Sequence, residues 1–269
     1  MIKGLIFYEN PIARFYINLL ITYNYNLEKL IYLNKKTFLP NSLMLRAQFN
    51  KNNFWALNFL KHKSIGYLLS QIEEYFNFPS NFIKNSYDYE LLNELSCNTI
   101  FANTNHINNE LVAEIIRDSG NIDYLISSKH ILKKNILTLR NNFLHIHPGY
   151  LPYIRGADGS LWGPYIRKKV GVSCFYLTKQ IDKGKIISRL ELDIPKFKLP
   201  TVKEYNLKDM YRLWFSFFDP LLRCYMLRKI LKNNYESFDK DSIDYSEEKY
   251  FTFMSDNIKS LLFNEIFSK

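Results

Sequence analysis

IKGLIFYENPIARFYINLLITYNYNLEKLIYLNK, residues 2–35, decides the architecture. Its first segment, IKGLIFYE (2–9), is a short apolar and aromatic run with the length of a buried strand. Asn10-Pro11 stops that run. IARFYINLLITYN follows, with apolar residues spread over a wide helical face, and LEKLIYLNK (27–35) is strand-like again. Strand, helix, strand at this spacing begins a parallel α/β sheet. The first turn, FYENPIAR, holds no glycine. A phosphate-cradling dinucleotide loop needs glycines there, so that function is disfavoured.

The same texture continues to about residue 195. Strands are expected at FWALNFL (54–60), NTIFAN (98–103), DYLISS (123–128), NNFLHIH (141–147), GVSCFYLT (171–178) and KIISRLELDI (185–194). Helices are expected at YELLNELS (89–96), at ELVAEIIRDSG with a left-handed cap at Gly120, at HILKKNILTL and over 161–169. Beyond Pro195 the chain reads as a helix broken at Asp219-Pro220, then a second helix, then mixed aromatic sequence. The expected organisation is an α/β domain over 1–195 and a carboxyl-terminal helical or mixed extension, 196–269, packed on it.

Composition sets limits. The 269 residues are 47% hydrophobic and 16% aromatic, enough for a large core and unlike a disordered chain. The net charge of +10 favours anionic partners. The basic residues are scattered, however, and Arg167-Lys168-Lys169 is among the densest runs, so a solvated basic surface accounts for them equally well. Cys97, Cys174 and Cys224 form no CxxC pair, which suits buried thiols in a reducing compartment. The apolar run at 15–22 is too short to span a bilayer. A soluble cytoplasmic protein is the expectation.

HIHPGYLPYIRG, residues 145–156, carries the chemistry. Alternation along a strand puts His145 and His147 on one face and Leu144 and Ile146 on the other. Pro148 ends the strand, and ligand sites of open α/β sheets lie beyond the carboxyl ends of strands. Three readings are open: structural histidines, a metal site, or acid–base catalysis. A metal would need a third ligand from His106, His130, Asp158 or Asp182, none at a spacing common in metal sites.

FLHIHPGYLPYIRG, followed by GVSCFYLTKQIDKGKII, resembles the formyltransferases that use 10-formyltetrahydrofolate. That family includes the glycinamide ribonucleotide, methionyl-tRNA and sugar-nucleotide enzymes. Its pattern is similar to N-x-H-P-S/G-x-L-P-x-x-R-G and then, from the motif histidine, about 35 residues on, D-x-G-x-I-I. Gly171, Ser173, Asp182, Gly184, Ile186 and Ile187 fall in register with it. HxHPG, with FFDPLLRCYML downstream, further resembles a subgroup with H-x-H-P-G and D-P-x-x-R segments. The resemblance implies a Rossmann-like formyltransferase fold, a mostly parallel sheet flanked by helices, over 1–195. It implies catalytic His147 and Asp182, with His145 standing where the family has asparagine.

Further residues follow from the same resemblance. Ser128, Lys129 and Ile131 fall on the folate-contacting loop, Leu151 shapes the loop beside the folate, and the backbone around Gln180 and Ile181 cradles the pterin. Tyr150, Arg155 and Gly156 are the candidates for contacting the acceptor. The cosubstrate is 10-formyltetrahydrofolate, and no metal is expected. The acceptor is expected to be a phosphorylated small-molecule amine, best an amino sugar on a nucleotide. Nucleic acid is disfavoured, because 196–269 leaves little room for the RNA-binding domain of the methionyl-tRNA enzyme. No membrane partner is expected, and a homodimer stays open. The alternatives are a metal-dependent hydrolase built on the HxH pair and a non-catalytic binding module on a degenerate formyltransferase fold.

Overall fold

The computed structural model describes residues 2–34, 41–128, 130–199, 205–232 and 246–268. The chain opens with β1 (Ile2–Tyr8), α1 (Pro11–Thr22) and β2 (Lys29–Leu33). Helices α2 (Asn41–Asn52), α3 (Phe54–Leu60), α4 (Ile65–Tyr75) and α5 (Phe82–Ser86) and a 3₁₀ turn at Tyr89–Glu94 precede β3 (Asn98–Phe101). Next come α6 (Glu110–Arg117), β4 (Asp123–Ile126), α7 (Lys134–Leu137) and β5 (Phe143–His147). They are followed by β6 (Arg155–Gly156), α8 (Gly159–Arg167), β7 (Val170–Tyr176), β8 (Ile186–Leu192) and β9 (Phe197–Lys198). Last are α9 (Leu207–Leu213), a π-helical turn (Trp214–Phe218), α10 (Asp219–Leu231), β10 (Tyr250–Phe251), α11 (Asp256–Ile266) and β11 (Phe267–Ser268).

Seven strands form one sheet in the order β3-β2-β1-β4-β5-β7-β8. The first five are parallel; β7 runs antiparallel to β5, and β8 antiparallel to β7. The central strands are apolar on both faces, so helices must cover both. Leu5, Phe7, Leu30, Tyr32, Leu125, Leu144 and Ile146 join the core beneath α1, α4 and α10. Ile6, Ile31, Leu33, Tyr124, Ile126 and Phe143 join a second core beneath α6 and α7. Leu144 and Ile146 therefore face one layer of helices and the two histidines of β5 the other, as strand alternation requires.

Some expectations change. FWALNFL (54–60) is α3, a helix that buries Ala56 and Phe59, three residues apart. The expected break at Asp219-Pro220 is a π-helical turn leading straight into α10, where Pro220 occupies the first turn and needs no N–H partner. Residues beyond 195 share the first core: Phe217, Leu221 and Met226 join Phe15 and Ile17 in it. The two-residue pairs β6–β10 and β9–β11 tie the final segment to the loop after β5 and to the stretch after β8.

No helix among the described residues is long and apolar enough to cross a membrane. Cys174 and Cys224 are buried and Cys97 is half-buried, all three as free thiols.

Candidate active site

The strand order reverses at β1, whose neighbours are β2 and β4. Chains leaving β1 and β4 diverge there and leave a crevice at their carboxyl ends. A cleft of about 440 Å³ occupies that crevice. Tyr8 and Asn10 after β1, Ser127 and Ser128 after β4, His145 on β5, Asp182, and Arg223 on α10 all line it. Hydrogen bonds fix its floor. Ser127 Oγ accepts from the Tyr8 N–H at 3.1 Å, and Asn10 Nδ2 donates to the Ser127 carbonyl at 2.8 Å. Asn10 Oδ1 accepts from the Ala13 N–H at 2.8 Å and caps α1, whose first residue is Pro11. The helix start is thus filled by its own side-chain cap, which leaves no glycine-lined phosphate cradle.

His147 sits at the end of β5, 3% exposed. Its Nε2 lies 2.9 Å from the Ile154 carbonyl. A carbonyl only accepts, so Nε2 carries the proton and Nδ1 is the free nitrogen of the neutral ring. Nδ1 lies 3.8 Å from Asp182 Oδ2. The same carboxylate oxygen accepts the Gly156 N–H at 2.8 Å. Two glycines make this packing accessible. A Cβ at Gly149 would stand 2.6 Å from His147 Nε2. Gly156, at φ +90°, would place a Cβ 2.2 Å from the Phe251 carbonyl. The loop carrying Asp182 is held by Arg155, whose Nη2 donates to the Ile181 carbonyl at 2.6 Å and whose Nη1 reaches Glu248 at 3.2 Å.

Burial holds both imidazoles below the usual histidine pKa. For His147 desolvation leads, and the Asp182 charge opposes it. For His145 desolvation is joined by the Arg223 and His147 charges, and the pKa is pushed down to about 3. The His145 ring also interacts with the Ile126 backbone carbonyl. The ring meets Phe175 edge-on, with centroids 5.9 Å apart.

Arg223 is the cation beneath the cleft. Its Nε donates to Asp219 Oδ1 at 2.8 Å, and Nη1 donates to the Ile146 carbonyl. Asp219 in turn accepts from Ser160 Oγ at 2.9 Å, and Ser160 accepts from Trp214 Nε1 at 2.9 Å.

Among solved structures, the chain is similar to a sugar N-formyltransferase from a Shewanella species: 15% identity, 93% of this chain and 76% of the other covered, TM-score 0.46. It is similar to an N-formyltransferase from Helicobacter canadensis in complex with folinic acid and dTDP-3-aminofucose: 17% identity, 93% and 71% covered, TM-score 0.44. A phosphoribosylglycinamide formyltransferase from Streptococcus pneumoniae aligns at 13% identity over 87% of this chain and 98% of its own, TM-score 0.45. No protein-family model and no curated protein sequence matches the chain.

The cleft gathers several of the residues singled out in the sequence. His145, Asp182, Ser128, Ile131, Gln180 and Ile181 line it, and His147 stands against Asp182. Lys129 lies outside the described residues. Leu151, Tyr150, Arg155 and Gly156 are not among its lining residues. Leu151 is fully buried, and its carbonyl accepts Arg189 Nη1 at 2.6 Å. Tyr150 stacks on Tyr153 and lies under the guanidinium groups of Arg167 and Arg189. Arg155 and Gly156 instead hold the Asp182 loop. Sequence reading missed Tyr8, Asn10 and Arg223; for Arg223 the available signal was the i, i+4 pair with Asp219 inside an apolar helix.

Of the third-ligand candidates for a metal, Asp182 stands against His147, and His130 lines the same cleft. Asp158 accepts from Tyr211 Oη and the Met254 N–H, both at 2.9 Å, and His106 and His130 stack on each other with centroids 4.3 Å apart. Among the described residues no three His, Cys, Asp or Glu side chains converge as a ligand set.

Proposed function

We propose that the protein is an N-formyltransferase that moves a formyl group from 10-formyltetrahydrofolate to the amine of a small substrate. One observation carries this reading. A buried imidazole, His147, and a carboxylate, Asp182, meet at 3.8 Å beside a cleft at the reversal point of the sheet. They are the two residues at which the formyltransferase motif of the sequence places its histidine and aspartate.

The reaction needs three things from the chain. The attacking amine must lose a proton, the formyl oxygen must be stabilised as it takes negative charge, and the departing folate nitrogen must gain a proton. His147 Nδ1 is free to take a proton, and the Asp182 carboxylate beside it favours the resulting cation. The pair can therefore hold one proton between its removal from the amine and its delivery to the folate nitrogen.

The cleft fits the donor in kind. Its volume lies in the range of small-molecule sites. Ile12, Ile126, Ile131 and Leu177 give it apolar walls for a flat heteroaromatic ring, while Ser128, Thr178 and Gln180 add hydrogen-bonding groups. The acceptor is read as a nucleotide-linked amino sugar, in line with the chain's excess positive charge.

The test is to incubate the protein with 10-formyltetrahydrofolate and a panel of nucleotide-linked amino sugars, dTDP-3-aminofucose among them. Formylated sugar and tetrahydrofolate are followed by mass spectrometry. The expected result is equal formation of both products. Failure to bind folinic acid, together with no transfer to any amine, would contradict the reading.

A further inference from the structure

The formyltransferase motif puts asparagine where this chain has His145, and an asparagine amide can donate a hydrogen bond to a developing oxyanion. At that place this chain has an imidazole in the amide's stead, its ring edge-on to Phe175. Arg223 has what the position lacks. Its guanidinium lines the same cleft as His145 and Asp182, although the side chain is only 11% exposed. Asp219 holds Nε and the Ile146 carbonyl holds Nη1. Nη2 has no hydrogen-bond partner among the described residues. An arginine fixed at two of its nitrogens keeps its plane rigid, so Nη2 can donate to a group bound in the cleft at little further cost in ordering.

Resting on the formyl-transfer reading above, we propose that Arg223 is a catalytic residue whose Nη2 donates to the formyl oxygen as that oxygen becomes an oxyanion. The amine nitrogen forms a bond to the formyl carbon, and the carbonyl π pair moves onto oxygen, where Nη2–H meets it. The amine proton passes to the His147–Asp182 pair. The pair on oxygen then re-forms the carbonyl, the bond from carbon to N10 breaks, and N10 leaves with its electron pair and takes the proton. Atoms and charge balance without any further reactant. Asp219, steadied by Ser160 and Trp214, is the positioning residue for Arg223. A charge-assisted hydrogen bond is stronger than a neutral one, so one guanidinium can replace the missing asparagine.

The test compares wild type with Arg223→Gln, using folinic acid for binding and single-turnover release of tetrahydrofolate from 10-formyltetrahydrofolate, with amine or water as nucleophile. Both nucleophiles pass through the same oxyanion. The expected loss in rate is about 10²–10³-fold, the usual effect of removing one oxyanion donor, with the folinic acid Kd changed less than about twofold. Because Arg223→Gln strands a buried carboxylate, the double variant D219N/R223Q is measured alongside. It removes both charges and is expected to fold and to show the same loss. A rate within tenfold of wild type in a folded variant overturns the proposal. So does a folinic acid Kd that weakens in step with the rate, which would make Arg223 a ground-state binding residue. Wild type that binds folinic acid but releases no tetrahydrofolate also overturns it. Wild type that neither binds folinic acid nor turns over the donor overturns the formyl-transfer reading itself, and this proposal with it.

Discussion

His147 is held at one ring nitrogen by a carbonyl and faced at the other by a carboxylate, so each substitution around it has a distinct expected effect. On the proposed reading His147→Ala and Asp182→Asn remove the proton store, and each is expected to lower single-turnover transfer by at least about 10²-fold. His145→Asn returns the motif's asparagine and is expected to stay within about tenfold of wild type, well short of the loss of an oxyanion donor. An inactive His145→Asn beside an active Asp182→Asn would reverse these roles. The histidines also predict a pH dependence of stability. Burial keeps both folded-state pKa values below the free-histidine value of about 6.5. Below that pH the unfolded chain binds protons that the folded chain refuses. Stability is therefore full above about pH 6.5 and is lost as pH falls toward the folded pKa, about 3 for His145. Relative to wild type, His145→Asn should gain about 1 kcal/mol for each pH unit between about 6.5 and 4. Urea midpoints at pH 7.5 and pH 5 measure this, and parallel losses in the two proteins would contradict it. The positions of His145, His147 and Asp182 were legible because strand alternation and a two-block motif both act over short range. Arg223 was not: it reaches the site from the helix α10, and only the fold brings the two together.

The turn from β1 into α1 is the element on which the cleft rests. Glu9 and Arg14 are 0% and 1% exposed and form a two-pronged ion pair, with Nη2–Oε2 at 2.7 Å and Nε–Oε1 at 2.8 Å. Tyr32 Oη and Asn53 Nδ2 also donate to Glu9. Arg14→Ala would leave that carboxylate buried without its cation, a loss of about 3–5 kcal/mol. Equilibrium denaturation measures it; a loss below 1 kcal/mol would mean that the pair is not structural. The first strand, helix and strand were readable because their apolar runs are long and uninterrupted. FWALNFL was misread because six apolar residues in a run of seven fit either period. Its helical state follows from tertiary packing, with Ala56 and Phe59 inward and Phe54 and Trp55 largely exposed. HILKKNILTL forms helix only at Lys134–Leu137. Before it, Asn108 bonds the Ile131 carbonyl and the Lys133 N–H and holds the chain in a non-helical path.

At the scale of the whole molecule, the reversal of strand order at β1 opens the crevice, and the antiparallel β7 carries the chain to the loop bearing Asp182 beside β5. Residues beyond 195 supply α10, which covers α1 and delivers Arg223 to the cleft. The Asp219-Arg223 pair inside an apolar helix was the one local sign of that contribution, and only the fold shows which cleft it serves. A crystal structure of the protein with folinic acid tests the account most directly. The predicted result is the pterin in the cleft between Ser128 and Gln180, with the formyl group within hydrogen-bonding reach of Arg223 and next to the His147–Asp182 pair. Folinic acid in another cavity, or a cleft that stays without it at saturating concentration, would contradict the account.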